Sequence, residues 1–519
     1  MLTKIHVENY KGFKDAEIPI KPITVRLGAN SSGKSSILQL LLLLQQTAEE
    51  ASDSYKSALK ILGNRTSIGK PENLFYGLDR KIPICIQIDF NNEQYYKHLQ
   101  EALGTFLTQL SIFYFSSGYK FKDAINDRDL FKRTLEKELE QIDTKHHWGE
   151  EYVDLISEHD FFSQDSEALI KNYDFLTNIR NKIKNPNFSF IFTISYYRKN
   201  LIISSFSLQQ GNTSILTYKK EVGFSSGLID FNGNDIAFLK SSFSENSTVF
   251  SFFNNKNKNA KNTSLSKTII SFVNSVLSIL RNEFREPFIN HVSPLRAHPQ
   301  RYYMLDKSNV TYSLDTYDAN AIAEVIKDKP SLKSKVNTWL EQFSLTVDVD
   351  EFKEAIHKLT VKQSGLSLDI PDVGFGVSQV LPVVLQGFLS PNKSITVVEQ
   401  PEVHLHPQMQ AALADLFIDI IKESKYTKHL IIETHSEYLL KRLRRRMAER
   451  NDITSDQVSI NLFHSRTKET PAMIENLSIE ERGAFDWPKE YYGNELYNDI
   501  IEFLRLQGNG NLYSNQQPD

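Results

Sequence analysis

The sequence predicts an α/β fold. A mainly parallel, doubly wound sheet is closed by distant parts of the chain, with an antiparallel β subdomain and an inserted, mainly helical region beside it. Three observations point there. Near the start, the apolar stretch Ile23–Leu27 runs into a Gly/Ser-rich loop and then into the apolar helix Ile37–Leu44. Far downstream, two more short apolar strands, Ser394–Glu399 and His429–Glu433, end in polar residues and lead into helices. Between these parts lie segments whose apolar residues alternate as in a half-exposed strand, most strictly in Ile82–Phe90.

Taken in order, residues 2–9 and 16–27 read as strands with a turn at Gly12, and the helix behind the Gly/Ser loop continues to about Ala51. After the strand at Ile82–Phe90, residues 91–185 are helical in pattern and rich in charge, as in Phe131–Glu140. No heptad is sustained there, which argues against a long coiled-coil arm. Phe188–Tyr196, Leu201–Leu208, Ser214–Lys219 and Leu228–Phe231 suggest an antiparallel sheet. Phe253–Ser266, dense in Asn, Lys and Ser, reads as a surface loop, and a helix follows from Thr268 to about Phe288. Further helices are expected from about Gln408 and over 437–450. These features divide the chain into 1–90 and 291–500, two parts of one core, with an insertion over 91–290 and a polar tail over 501–519.

At 519 residues the chain is too long for one core, so two or three packed units are expected. A net charge of −4 gives no global attraction to nucleic acid or anionic membrane. The single cysteine, Cys85, excludes an internal disulfide and a cysteine-rich metal site, in keeping with a reducing cytoplasm. The opening residues lack the apolar region of a signal peptide. The longest apolar run, Ile37–Leu44, is broken by Gln39 and is far shorter than the ~20 residues of a spanning helix. A soluble protein without a membrane partner is expected.

Residues 28–36 read Gly-Ala-Asn-Ser-Ser-Gly-Lys-Ser-Ser, the P-loop pattern in its strand–loop–helix setting. Gly28 and Gly33 let the backbone curl so that the N–H groups of Asn30, Ser31, Ser32 and their neighbours point at a phosphate chain. Lys34 reaches the β- and γ-phosphates, Ser35 offers a hydroxyl to Mg²⁺, and Ser36 completes the nucleotide-binding run. A nucleoside triphosphate and Mg²⁺ are therefore the expected ligands. Ile395–Glu399 delivers a carboxylate to the edge of a sheet, where an acid holds the metal. His435 ends the next strand, placed to face a γ-phosphate. Ahead of both, Gly374–Gln379 opens an apolar helix. The small Gly376 with Ser378 and Gln379 forms a second anion-binding surface, although the segment alone reads more simply as a capped helix start.

Together these segments resemble the ATP-binding-cassette ATPase heads of SMC and RecF-type proteins, and especially the OLD-like ATPases of bacterial defence systems. The resemblance covers about residues 1–90 and 290–500. Residues 28–36 are similar to Walker A, 374–379 to the signature loop, 395–402 to Walker B, 404–407 to the D-loop region and 433–436 to the switch histidine segment. Glu-Gln-Pro-Glu-Val-His-Leu-His-Pro, residues 399–407, is the most diagnostic run. The resemblance implies that two heads sandwich two nucleotides, Ser378 of one copy facing the phosphates held by Lys34 of the other, and hence a homodimer or higher homo-oligomer. It also implies Glu399 and Ser35 as the metal-side groups. Where these ATPases place the glutamate that orients the attacking water, this chain has Gln400, and an amide cannot accept the proton. Slow hydrolysis is expected, with Glu402 or His435 as alternative helpers.

Arg296, in Ser-Pro-Leu-Arg, fits a phosphate contact, an inter-subunit contact and a structural ion pair equally. Lys441, Arg442, Arg444, Arg445 and Arg446 crowd one helix, where a DNA or RNA backbone and plain solvation both fit. The sequence after that helix is too short for a Toprim nuclease, and no HNH-like motif is evident. The resemblance is nearest to the ATPase subunit of Septu-type or retron-associated defence systems and to the PARIS ATPase. It implies a separate effector, an HNH-type nuclease or a toxin. The alternative is a DNA-repair or recombination ATPase that loads on DNA.

Overall fold

In the computed structural model the described residues are 1–50, 56–114, 121–145, 166–253, 264–305, 314, 318–353, 356–449 and 452–486. They fall into two compact units, Met1–Pro19 with Ser36–Ile289, and Ile20–Ser35 with Asn290–Asp519.

The second unit is built on a six-stranded sheet of order β11-β16-β17-β3-β18-β19. Its strands are β3 (Ile23–Gly28), β11 (Ile289–Val292), β16 (Ile395–Glu399), β17 (His429–Glu433), β18 (Val458–His464) and β19 (Met473–Leu477). β16, β17, β3 and β18 run parallel, and β19 closes the edge antiparallel. β3 and β17 are buried along their whole length, as parallel strands covered on both faces must be. The cover includes α9 (Phe375–Leu389), α10 (Pro407–Glu423) and α11 (Glu437–Glu449), whose Val380, Val384, Leu413, Phe417, Leu439 and Leu443 join one apolar core. α9 and α10 pack closely at Gly387, where an added Cβ would lie 2.3 Å from Ile420 Cδ1. The helices α7 (Ala319–Asp328) and α8 (Pro330–Glu341) pack on a smaller antiparallel sheet of β12 (Tyr303–Met304), β13 (Leu345–Lys353), β14 (Ile356–Gln363) and β15 (Leu366–Asp369).

The first unit carries a seven-stranded sheet of order β2-β1-β4-β5-β6-β7-β8, all of it antiparallel. The strands are β1 (Leu2–Tyr10), β2 (Phe13–Pro19), β4 (Ile84–Asn91), β5 (Asn187–Tyr197), β6 (Asn200–Gln210), β7 (Thr213–Lys219) and β8 (Gly223–Ser225). β4 alternates strictly between buried and half-buried positions, as its sequence predicts. The same unit holds α1 (Lys34–Glu50) beyond its first two residues, α2 (Glu93–Tyr114), α3 (Arg128–Lys145) and α4 (Ser166–Lys182). It also contains α5 (Gly233–Ser242), a ribbon of β9 (Phe243–Thr248) and β10 (Ser251–Phe253), and α6 (Ser264–Phe284). The α/β class, the antiparallel sheet and the helical insertion are thus as expected.

Three local expectations are corrected. Residues 16–27 are two strands rather than one: β2 ends at Pro19, and β3 starts after Pro22 in the other unit, because each proline removes a donor a continuing ladder would need. Leu228–Phe231 is not a strand; the last strand of the antiparallel sheet is β8, immediately after the β7 turn. The helix expected from Thr268 to Phe288 begins at Ser264 and stops at Phe284. The middle of the expected Phe253–Ser266 loop, the end of the first helix at Ala51 and the 501–519 tail lie outside the described residues.

Candidate functional site: the carboxyl edge of the parallel sheet

β3 hands the chain to the P-loop through Gly28, at φ +141°. An added Cβ there would lie 2.5 Å from the Phe463 carbonyl oxygen and 2.9 Å from Ser32 Oγ, so no other residue fits. Ser31 at φ +65° and Gly33 at φ +101° complete the curl. Asn30, Ser31 and Ser35 are exposed, whereas Ser32 is buried and its hydroxyl finds no hydrogen-bond partner among the described residues. Lys34 is buried, and its Nζ donates to the carbonyls of Gly28 and Ala29, 2.8 Å each. Burial pushes its pKa down, Glu433 pulls it up, and Arg26 pushes it down again. Ser36, next along α1, opens the helix segment of the antiparallel unit.

Two residues that sequence reasoning missed lie behind this loop. Arg26, inside β3, is completely buried. Its Nη1 donates to the Lys34 carbonyl at 3.0 Å, and its Nη2 donates to Glu433 Oε2 at 3.3 Å. Glu433 is its register partner on β17, and Glu433 Oε1 lies 3.9 Å from Lys34 Nζ. Burial raises the Glu433 pKa, Arg26 and Lys34 oppose that, and Glu399 adds to it. The available signal was an arginine inside the otherwise uncharged strand Ile-Thr-Val-Arg-Leu and a glutamate at the end of the apolar run Leu-Ile-Ile-Glu.

Glu399 ends β16 and is the register partner of Glu433. The His291 ring meets its Oε1 at 2.7 Å, a third group not singled out from sequence. Gln400 takes a left-handed backbone, φ +44°, and its N–H donates to the Glu433 carbonyl at 2.7 Å. Glu402 is held on both oxygens, by the Thr434 hydroxyl at 2.8 Å and the His435 N–H at 2.6 Å. Its pKa is raised by burial against the pull of those hydrogen bonds. Glu402 therefore ties the loop after β16 to the loop after β17. His435 itself is exposed at its strand end; partial burial first, and Lys34 second, lower its pKa.

Among the described residues Arg296 is held by backbone carbonyls. It donates to the carbonyls of Gln379 at 3.2 Å, Glu399 at 2.9 Å and Gln400 at 3.2 Å, stitching the start of α9 to the end of β16. Burial lowers its pKa to about 10. At that start Ser378 is buried, with its Oγ donating to the Phe375 carbonyl at 2.8 Å. Gln379 is buried too, and Gly376 passes close to the His404 carbonyl. Phe375 is 50% exposed, its ring centroid 5.8 Å from His298 and 6.0 Å from His404.

The basic helix is largely neutralised by its own surroundings. Arg442 and Arg446 both grip Asp415, Arg445 and Arg446 reach Glu449, and Lys441 pairs with Glu437. Arg444 stacks on Phe485.

The residues suit a triphosphate with its metal. A curled loop that a Cβ would fill, a buried hydroxyl with no partner among the described residues and a lysine at the helix start make a phosphate cradle. The Ser35 hydroxyl and the Glu399 carboxylate are the hard oxygen donors that Mg²⁺ takes. Among the described residues no helix is long and apolar enough to cross a membrane.

Residues 1–440 match the AAA ATPase domain family, and the chain belongs to that family. No curated protein matches it. Among solved structures it is similar to the SMC head domain from Thermotoga maritima, at 7% identity and a TM-score of 0.35, over 92% of this chain and 99% of that one. It is also similar to an Smc head bound to the C-terminal winged-helix domain of ScpA, at 11% identity and a TM-score of 0.36, over 92% and 98%. A third is an Smc head domain with an extended coiled coil bound to the C-terminal domain of ScpA, derived from Pyrococcus furiosus, at 13% identity and a TM-score of 0.34, over 97% and 99%.

Proposed function

We propose that this protein is a slowly hydrolysing ATPase of the OLD-like ABC type. Two copies close over ATP and Mg²⁺, and the clamped assembly restrains a separate effector, an HNH-type nuclease or a toxin, in anti-phage defence. The observation that carries the nucleotide part is the strand order. β16, β17 and β3 are adjacent and parallel, so Glu399, the His435 loop and the Lys34 loop leave the sheet at one edge, where open α/β sheets bind their ligands.

When bound, Mg²⁺ would offset phosphate charge from Ser35 and Glu399. Lys34 and the loop N–H groups then bind and orient the phosphates. Gln400, at the place of the usual glutamate, can position water through its amide but has no basic oxygen to take the proton. Glu402 is occupied with Thr434 and His435, which leaves it a loop-pinning role. The nucleotide then acts more as a clamp than as a fuel. Control of a separate protein is favoured over DNA loading by the internally paired cations of α11 and the acidic net charge.

The test is steady-state ATP turnover of Gln400→Glu, expected to rise at least about tenfold, since a positioned general base contributes on the order of 10² or more. No rise over wild type contradicts the clamp reading. Copurification of the product of a neighbouring gene with the wild-type protein tests the effector part, and stimulation of turnover by DNA would favour the loading alternative.

A further inference from the structure

We infer that Glu433 is a positioning residue that holds the Lys34 ammonium back from nucleotide, with Arg26 setting the strength of that hold; the inference rests on the nucleotide-binding reading above. Glu433 stands on the middle strand of three, between Glu399 on β16 and Arg26 on β3. Its carboxylate is shared between two cations, Arg26 Nη2 at 3.3 Å and Lys34 Nζ at 3.9 Å. All three side chains are buried, so their charges interact through a weakly screening interior.

A triphosphate needs the ammonium of Lys34 and brings several negative charges to it. Glu433 competes for that ammonium and repels those charges. Arg26 offsets part of the repulsion, and its bond to the Lys34 carbonyl fixes the backbone from which the lysine extends.

The pair is poorly explained as a stabilising device. Desolvating two charges costs about as much as their attraction returns, and apolar residues of similar size would serve the fold as well. Arg26 even leaves its Nε without a partner among the described residues. A group kept at such cost beside the phosphate-binding lysine fits a role in tuning affinity.

The experiment is a titration of the full-length chain with a fluorescent ATP analogue, with Mg²⁺ and again in EDTA. It compares wild type, Glu433→Gln and the double variant Arg26→Met with Glu433→Gln, each checked for folding by circular dichroism melting. The double variant removes both charges at nearly constant volume and keeps the test alive if the lone buried arginine of the single variant prevents folding. Both variants are expected to bind about five- to tenfold more tightly than wild type in both conditions, the scale of losing one buried competing charge. A merely structural pair predicts no gain, so a folded variant that binds equally or more weakly overturns the inference. A gain confined to Mg²⁺ also overturns it, because the effect would then belong to the metal beside Glu399. Failure of the wild type itself to bind removes the nucleotide reading and the inference with it, and that titration alone identifies this case.

Discussion

The two large sheets handle polar side chains in opposite ways. In the antiparallel sheet they stay largely on one half-exposed face, where they pair through neutral hydroxyls or through partly exposed ions such as Lys4 with Glu17 and Asp89. Ser205 bonds Thr193 at 2.8 Å, Ser207 bonds Thr217 at 2.8 Å and Ser195 bonds Ser204 at 2.9 Å, all across neighbouring strands. Its unit's ion pairs, such as Arg128–Asp174 at 2.6 Å, lie towards solvent. In the parallel sheet the central strands are covered on both faces, and full charges are buried among them: Arg26 within β3 and Glu433 at the end of β17, beside Lys34, with the half-buried Glu399 and His291 alongside. The first arrangement is cheap and local. The second is costly and makes sense where charged ligands are to be bound, because the same low dielectric that penalises an ion strengthens its hold on phosphate.

That contrast can be broken first by mutation. Arg26→Leu strips a buried carboxylate of its partner and is expected to destabilise the parallel sheet by about 3–5 kcal/mol. Arg128→Ala, in the exposed pair, is expected to cost about 1 kcal/mol or less. Amide hydrogen exchange over residues 23–28 and 429–433, against residues 128–145 and 166–182, reads the two effects separately. Equal and small losses would mean the buried charges are not energetically special.

The next lever is pH. His429 opens β17, is 7% exposed, and its Nδ1 has no partner among the described residues. Burial lowers its pKa to about 4, below the ~6.5 of a free histidine. Between those values the unfolded chain takes up the proton and the folded one does not, so stability falls as pH drops through the window. The full loss below about pH 4 is about 3 kcal/mol, and His429→Leu should abolish it. Glu433 and Glu402, whose pKa values are raised, pull the other way on acidification, which is why the comparison with the variant is needed. A denaturation midpoint that falls equally in wild type and His429→Leu would contradict the assignment.

Much of the frame was legible from sequence because it depends on local chemistry. The P-loop advertises itself through two glycines, a lysine and the flanking apolar runs, and β4 through strict alternation. Less legible was whatever depends on which strands become neighbours. Nothing near Arg26 in the chain identifies Glu433 as its partner, since their pairing exists only once β17 docks beside β3. The strand expected over 16–27 failed for a local reason, two prolines read as part of one alternating run. β13 and β14 alternate visibly in Leu-Thr-Val-Asp-Val and Leu-Thr-Val-Lys, yet alternation alone does not say which strands pair, and their sheet forms only when they meet each other. The partners of the basic helix were equally hidden: Asp415, Glu437, Glu449 and Phe485 come against its five cations only in the fold.

The claim beneath all of this is that the carboxyl edge of the parallel sheet is half of a nucleotide site that a second copy completes. Light scattering of the purified chain with and without ATP·Mg²⁺, beside Lys34→Ala, tests it most directly. The account predicts that nucleotide raises the molar mass of the wild type at least twofold over the 59.7 kDa chain and leaves Lys34→Ala unchanged. A wild-type mass indifferent to nucleotide, or a Lys34→Ala protein that assembles equally well, would contradict it.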